Sequence, residues 1–537
     1  FFDGERFEIL VNSNEAGAPF LNVNSNWVNS DDRFVSQKGN WFKQIGSTGY
    51  LFRIGETEIT PFLNWETENR TQQAENDSLL AGSIEFYDLN PGLRVAAGSI
   101  SISAGGGYRF NKRAQNGQLI KESVSRTQRF GLTFQPSALF RSENQLQFRQ
   151  KDTEEAFLGE SQLPRSRGVL MRSVNNYLIA DGGLEGELLY EVNTERRALL
   201  QETFIEAGPE LGQFFWDDLN GDGVQQLDEF FPEVNPNEGT FLRQFIPADE
   251  LLPVVDLKVR FRNRIIFSDL FKKGDNALSG FIRGLRFNST IEFRETSTEP
   301  NLKKVYLLNP SALRNSETTI SGQRILRQEL RWTDDNNNLD LTARFSGNDI
   351  LFQRSAGLEE KKVRLYEVEG SYQISDRVRI LSEFSYSTDE NLSSRFINRG
   401  FDITSRTARP GIRVFINRSA ENESGFIFTR KKDNFFDNSG ARSTIFGITN
   451  TTRLFLFNVL QNNLRLQVKN SEVSGTSSSL GEFELTDGAG QGLTLNWNLS
   501  STYRFSSFLR GTLQYDGRTV PGSNVIQTMR FVVSAVF

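Results

Sequence analysis

The sequence predicts an all-β fold: about 22 antiparallel strands (roughly 20–24) closed into a transmembrane β-barrel, with short turns at one end and long loops at the other. Three observations predict it. Run after run alternates with a period of two, apolar on one face and polar on the other. No stretch approaches the roughly eighteen uninterrupted apolar residues of a membrane helix, and mean hydropathy is −0.45. The connections between runs alternate between short and long. A strand with one oily and one polar face lies between two different solvents, and a barrel of such strands keeps a low mean hydropathy.

Taken in order, residues 1–19 are expected to form an N-terminal periplasmic or lumen-entering segment, followed by a barrel over residues 20–537. The opening Phe1-Phe2-Asp3-Gly4 has no initiator Met and no charged stretch leading into an apolar one, so the chain is read as a mature or truncated product. Short turns are expected where Pro, Gly, Asn and Ser gather: Asp88 to Gly92, Pro136 to Ser137, Ser375 to Arg377, Asn458 to Gln461 and Ser506 to Phe508. Long connections are expected at Asp152 to Ser166, Pro209 to Glu250, Thr298 to Thr319, Asp389 to Arg406 and Gly475 to Gly490.

Between them the faces separate cleanly. Val255, Leu257, Val259, Phe261 and Ile265 oppose Asp256, Lys258, Arg260, Arg262 and Arg264, and Leu493, Leu495 and Trp497 oppose Thr494, Asn496 and Asn498. The last run sets Met529, Phe531, Val533, Ala535 and Phe537 against Thr528, Arg530 and Ser534. The 46 Phe residues suit strands and bilayer interfaces.

An amphipathic terminal strand ending in Phe537 resembles the closing strand of Gram-negative outer-membrane barrels. That resemblance implies outer-membrane lipids and the barrel assembly machinery as partners, and a periplasmic C-terminus. Counting back from it sets the N-terminus in the periplasm and the long loops outside. A barrel of about 22 strands also resembles that of TonB-dependent receptors, whose plug domain would precede residue 1.

The loop 209–250 carries the sharpest motif: Asp218-Leu219-Asn220-Gly221-Asp222-Gly223, closed by Glu229. It fits the calcium-loop template D-x-N-x-D-G-x5-E. A hard cation takes six to eight oxygens. Asp218, Asn220 and Asp222 offer side chains, Val224 its carbonyl, Gln226 a water or a ligand, and Glu229 a closing carboxylate. The stretch resembles the EF-hand and dockerin-type loop over about twelve residues. It departs at Gln225, where an apolar residue is usual, and Pro209 and Gly212 spoil an entering helix. Calcium in a structural role is the expected cofactor. Phe214, Phe215, Trp216, Phe230 and Phe231 flank the loop and are read as its own small core, the alternative being an exposed docking surface. With this loop, the Phe-ending barrel resembles large outer-membrane proteins of the Bacteroidota.

The inward face is rich in Arg260, Arg262, Arg264, Arg286, Arg294, Arg327, Arg331 and Arg344, interleaved with Asp256, Glu292, Glu329 and Asp340. With both signs present, a cross-strand ion-pair lattice is the preferred reading over an anion-attracting lumen. The chain has no Cys and no His, which removes disulfides, thiolate metal sites and imidazole catalysis. Phosphate-cradling and dinucleotide motifs are missing too, so an enzyme is not expected. A net charge of −6 gives no support to a nucleic-acid partner. The expected function is transport or translocation across the outer membrane. The alternative is a structural or assembly component whose loops bind a surface lipoprotein or another outer-membrane protein.

Overall fold

The computed structural model describes residues 2–535 apart from 16, 33–36, 75–77, 159–163, 210, 234–237, 272–276, 300–314, 355–356, 395, 397–398, 436–439, 458, 507 and 523–524. The chain forms one 26-stranded antiparallel sheet. Three strands, Phe52–Ile54, Phe214–Trp216 and Phe230–Pro232, are three-residue pieces. The other 23 form a meander from Phe2–Ser13 to Ile526–Ala535, each paired with the next long strand in sequence. Among the described residues no helix is long and apolar enough to cross a membrane.

Alternating side chains fix the register. A slip of one residue would turn every side chain of a strand to the wrong face. On Arg442–Leu456, Phe446 and Ile448 are 51% and 49% exposed while Ile445, just before Phe446, is fully buried. The oily face continues across other strands through exposed Ile100, Ile102, Phe130, Leu132, Val368, Phe384, Phe426 and Phe428. Near the short turns it ends in exposed Phe52, Phe281, Phe457, Phe505 and Phe508. The opposite face is tied by ion pairs. Arg344 reaches Glu329, Glu367 and Glu369 at 2.9, 2.8 and 2.6 Å, and Arg260 reaches Glu187 at 2.7 Å. Asp349, fully buried, lies between Arg324 and Arg364. Arg264, Arg294 and Arg331 are also paired, with Glu185, Glu292 and Asp340. Five of the eight arginines read as inward, Arg260, Arg264, Arg294, Arg331 and Arg344, thus stand in ion pairs of the kind the lattice reading expects.

Several expected boundaries change. Phe2–Ser13 pairs residue by residue with Phe20–Asp32, so residues 1–19 hold the first strand and its turn, not a separate segment. Because 23 is odd, Phe2 lies at the end bearing the long connections, opposite Ala535. The expected N-terminus on the short-turn side is corrected by that parity. The terminal Phe537 lies outside the described residues.

No turn forms at Asp88 to Gly92, which lies inside the strand Ile84–Ala97. Asn90 and Pro91 skip the ladder to the next strand, since Pro has no N–H to give, and pairing resumes at Gly92 with Gly105. Two of the long connections are also shorter than expected. The strand Phe241–Ile266 takes in residues read as loop, and Val378–Ser393 and Phe401–Asn417 leave only 394–400 between them. Two seven-residue helices, Ala277–Arg283 and Ser479–Leu485, were not expected.

Candidate functional site

The strands Leu184–Glu206 and Phe241–Ile266 overrun the wall. Their pairing is irregular between Ala198 and Leu200, and past Asn193 and Val255 neither pairs with its other long neighbour in the sheet. The connection it carries contains the short pair Phe214–Trp216 and Phe230–Pro232. Its aromatics form a core: Phe204 stacks on Phe230 with centroids 4.0 Å apart, and Phe230 meets Phe241 edge-on at 5.1 Å. Phe230 and Phe231 are buried. The core extends beyond the connection itself, because Phe215 and Phe231 also pack on Phe483 of the helix Ser479–Leu485, at 6.3 and 5.8 Å.

Within this frame the six expected cation ligands follow one another on the connection. Asp218 accepts the Gly221 and Gly223 amides, one on each oxygen, both at 2.8 Å. Asn220 accepts the Asp222 amide at 2.9 Å, and Asp222 accepts the Val224 amide at 2.7 Å. Gln226 donates its side-chain amide to Asp222 at 2.9 Å. Gly221 and Gly223 have φ of +73° and +72°, a conformation that side chains resist, so the turn requires both glycines. Glu229 is buried, and its Oε2 accepts from the Trp216 indole at 2.8 Å and the Gln226 amide at 3.2 Å. Each carboxylate oxygen has two lone pairs, so these bonds leave capacity for a cation. Asp218 and Asp222 are engaged through both carboxylate oxygens, Glu229 through one. Among the described residues no group of three or more acidic side chains is gathered as a ready cage.

Sequence reasoning missed the charged hub that ties the connection down. Glu202, nearly fully buried, pairs with Arg354 and lies 3.1 Å from Arg243 and 3.4 Å from Arg399. Glu359 reaches Arg354 at 2.9 Å and Arg399 at 3.2 Å. Arg243 and Arg354 both lie over the Phe245 ring, at 4.9 and 5.0 Å. Arg399 also donates to the Leu227 carbonyl, two residues before Glu229. A last buried pair, Arg518 with Glu238 at 2.7 Å, fixes the far side of the connection. Glu202 and Arg354 are 152 residues apart, so no local pattern announces them.

The inward wall holds a cavity of about 750 Å3 lined by Glu369, Glu383, Arg409, Arg413, Glu423 and Arg465, and reaching Asp487 just beyond the helix Ser479–Leu485. Its wall is recessed where Pro410 interrupts the ladder and Gly411 faces Gly425. Burial pushes the Glu484 carboxyl above its usual range. For Asp487 burial acts in the same direction, but Lys431 at 2.6 Å and Lys469 at 3.0 Å outweigh it and hold the carboxyl below its usual value.

No family model matches the sequence, and no curated protein matches it. Among solved structures, the outer membrane transporter YddB from Escherichia coli aligns at 9% identity over 93% of this chain and 76% of its own, with a TM-score of 0.37. A mutant of the ferric enterobactin receptor PfeA from Pseudomonas aeruginosa aligns at 8% identity over 93% and 75%, with a TM-score of 0.32. The ferric-catecholate import receptor Fiu from E. coli K12 aligns at 9% identity over 92% and 76%, with a TM-score of 0.30. Likeness at this level does not distinguish one large antiparallel sheet from another.

Proposed function

We propose that this chain is the wall of an outer-membrane β-barrel that acts in transport or translocation, its long connections facing the cell exterior. One observation carries the reading. An apolar face is exposed on many of the strands, interrupted where Val255, Leu257 and Val259 are buried against Val192, while the opposite face is tied by ion pairs. Monomeric soluble proteins rarely expose contiguous apolar patches beyond a few hundred Å2, and a bilayer is the solvent that suits such a face. The exposed Phe side chains near the short turns fit the aromatic girdle at a bilayer boundary. The test is ion conductance of the full-length protein in planar bilayers: discrete steps support a conducting lumen, and a silent, correctly inserted protein counts against transport.

In this reading the Asp218 to Glu229 loop binds calcium through Asp218, Asn220, Asp222, the Val224 carbonyl, Gln226 and Glu229, stiffening the connection. Terbium is the probe, with its luminescence sensitised by Trp216, whose indole touches Glu229. Loss of the signal in Asp218→Ala with Asp222→Ala supports the site; an unchanged signal removes it. A second reading, a surface anchor that binds a lipoprotein or another barrel, is favoured by exposed Leu211, Leu219 and Val224 on the same connection. Co-purification lost on Leu219→Ser and Val224→Ser would support it.

A further inference from the structure

We propose that the connection between Glu206 and Phe241 is a cap, held across the long-connection mouth by the Glu202 hub, and that its release opens the cavity beneath. This rests on the transport reading above.

The placement of the contacts carries the inference. The connection leaves the sheet from Leu184–Glu206 and Phe241–Ile266, yet the hairpin and connection together touch Arg354, Arg399, Phe483 and Arg518. Those residues belong to strands or connections well along the sheet order, the last on the strand Leu509–Thr519. A loop that only rose above its own strands would touch its immediate neighbours. To reach all four, it must cross the mouth. The cavity adjoins the same elements, because Asp487 on its wall comes two residues after the helix that Phe215 and Phe231 pack against.

The hub has the character of a latch. Three guanidiniums, Arg243, Arg354 and Arg399, meet two carboxylates, Glu202 and Glu359. Arg243 stands 3.1 Å from Glu202 but at an angle that makes no hydrogen bond, leaving its Nε and one Glu202 oxygen unsatisfied. Buried charges with incomplete bonding repay their desolvation poorly, so the closed arrangement competes with one in which the arginines meet water. Two arrangements of similar free energy are what a gate requires.

The native chain has no Cys, so single cysteines report cleanly. In the full-length protein in cells, Thr451→Cys places a thiol on the cavity wall, to be labelled from outside by a membrane-impermeant maleimide. Adding Glu202→Gln is expected to raise the labelling rate at least tenfold. An equal rate in a properly inserted protein overturns the cap. A second measurement covers a folding failure of that variant: Phe231→Cys with Phe483→Cys, oxidised, is expected to abolish opening events in bilayers, and reductant to restore them. In a barrel that conducts, identical traces before and after reduction overturn the proposal. A barrel that never conducts overturns the transport reading instead, and the labelling rates still decide the cap.

Discussion

The wall and the cap are held by opposite means. The wall repeats a small interaction many times: each long strand is laddered to its neighbours, and pairs such as Arg413 with Glu423 at 2.6 Å and Arg453 with Glu421 recur along the inward face. Cross-strand pairs of this kind contribute about 0.2–1 kcal/mol each. The cap depends on a few buried contacts among residues far apart in sequence, with Glu202 bonded or close to three arginines. A distributed lattice tolerates the loss of any one member, and a hub does not.

The comparison is sharpest at the hub. Arg354→Ala leaves Glu202 and Glu359 short of a partner in a buried site, and losing one member of a buried pair costs about 3–5 kcal/mol. Hydrogen exchange should accelerate in Phe241–Ile246 and stay unchanged in Arg442–Leu456; equal change in both would make cap and wall one unit. Next in size is the recess. A Cβ on Gly425 would stand 3.1 Å from the Pro410 carbonyl, so Gly425→Val should cost about 1–3 kcal/mol by overpacking, read as a lower temperature for loss of heat-modifiable migration. Arg413→Gln removes one lattice pair and should cost no more than about 1 kcal/mol by the same assay. A larger loss would show that the wall has hubs too.

The smallest effect is that of pH. Asp487 is held below its usual value, so its contribution to docking the helix Ser479–Leu485 is full above the ordinary carboxylate pKa of about 3.9 and is lost as pH falls through the lowered value. Glu484, pushed up by burial, has the opposite sign: it opposes docking at neutral pH, and protonation relieves it. Exchange rates in the helix should therefore rise only in strong acid, and Asp487→Asn should remove that rise.

What was legible in the sequence follows from the range of each interaction. The faces could be read because side chains alternate residue by residue between an exposed face and a packed one, as Phe446 and Ile448 against Ile445 show. The turn built by Asp218, Asn220 and Asp222 was legible because its bonds run between residues no more than five apart. Asn90-Pro91-Gly92 was misread because Pro-Gly marks a turn in most contexts, whereas here the pairing of neighbouring strands carries the chain through. Arg409-Pro410-Gly411 repeats the device: pairing lapses at Pro410 and resumes between Gly411 and Gly425, as it does between Gly92 and Gly105. In both cases the facing glycine leaves room for a proline carbonyl, 2.9 Å from a Cβ on Gly105 and 3.1 Å from one on Gly425. The aromatic core around Phe230 was read as local, and Phe483, its distant partner, was invisible. The hub was invisible for the same reason.

The central claim is that the two faces of the sheet meet different solvents. Nitroxide labels at single cysteines in place of Phe446, Ile448, Thr449 and Thr451, in the bilayer-reconstituted protein, test it most directly. The account predicts that labels at 446 and 448 collide with oxygen and those at 449 and 451 with a water-soluble nickel chelate. Equal access of the chelate to all four positions would contradict it.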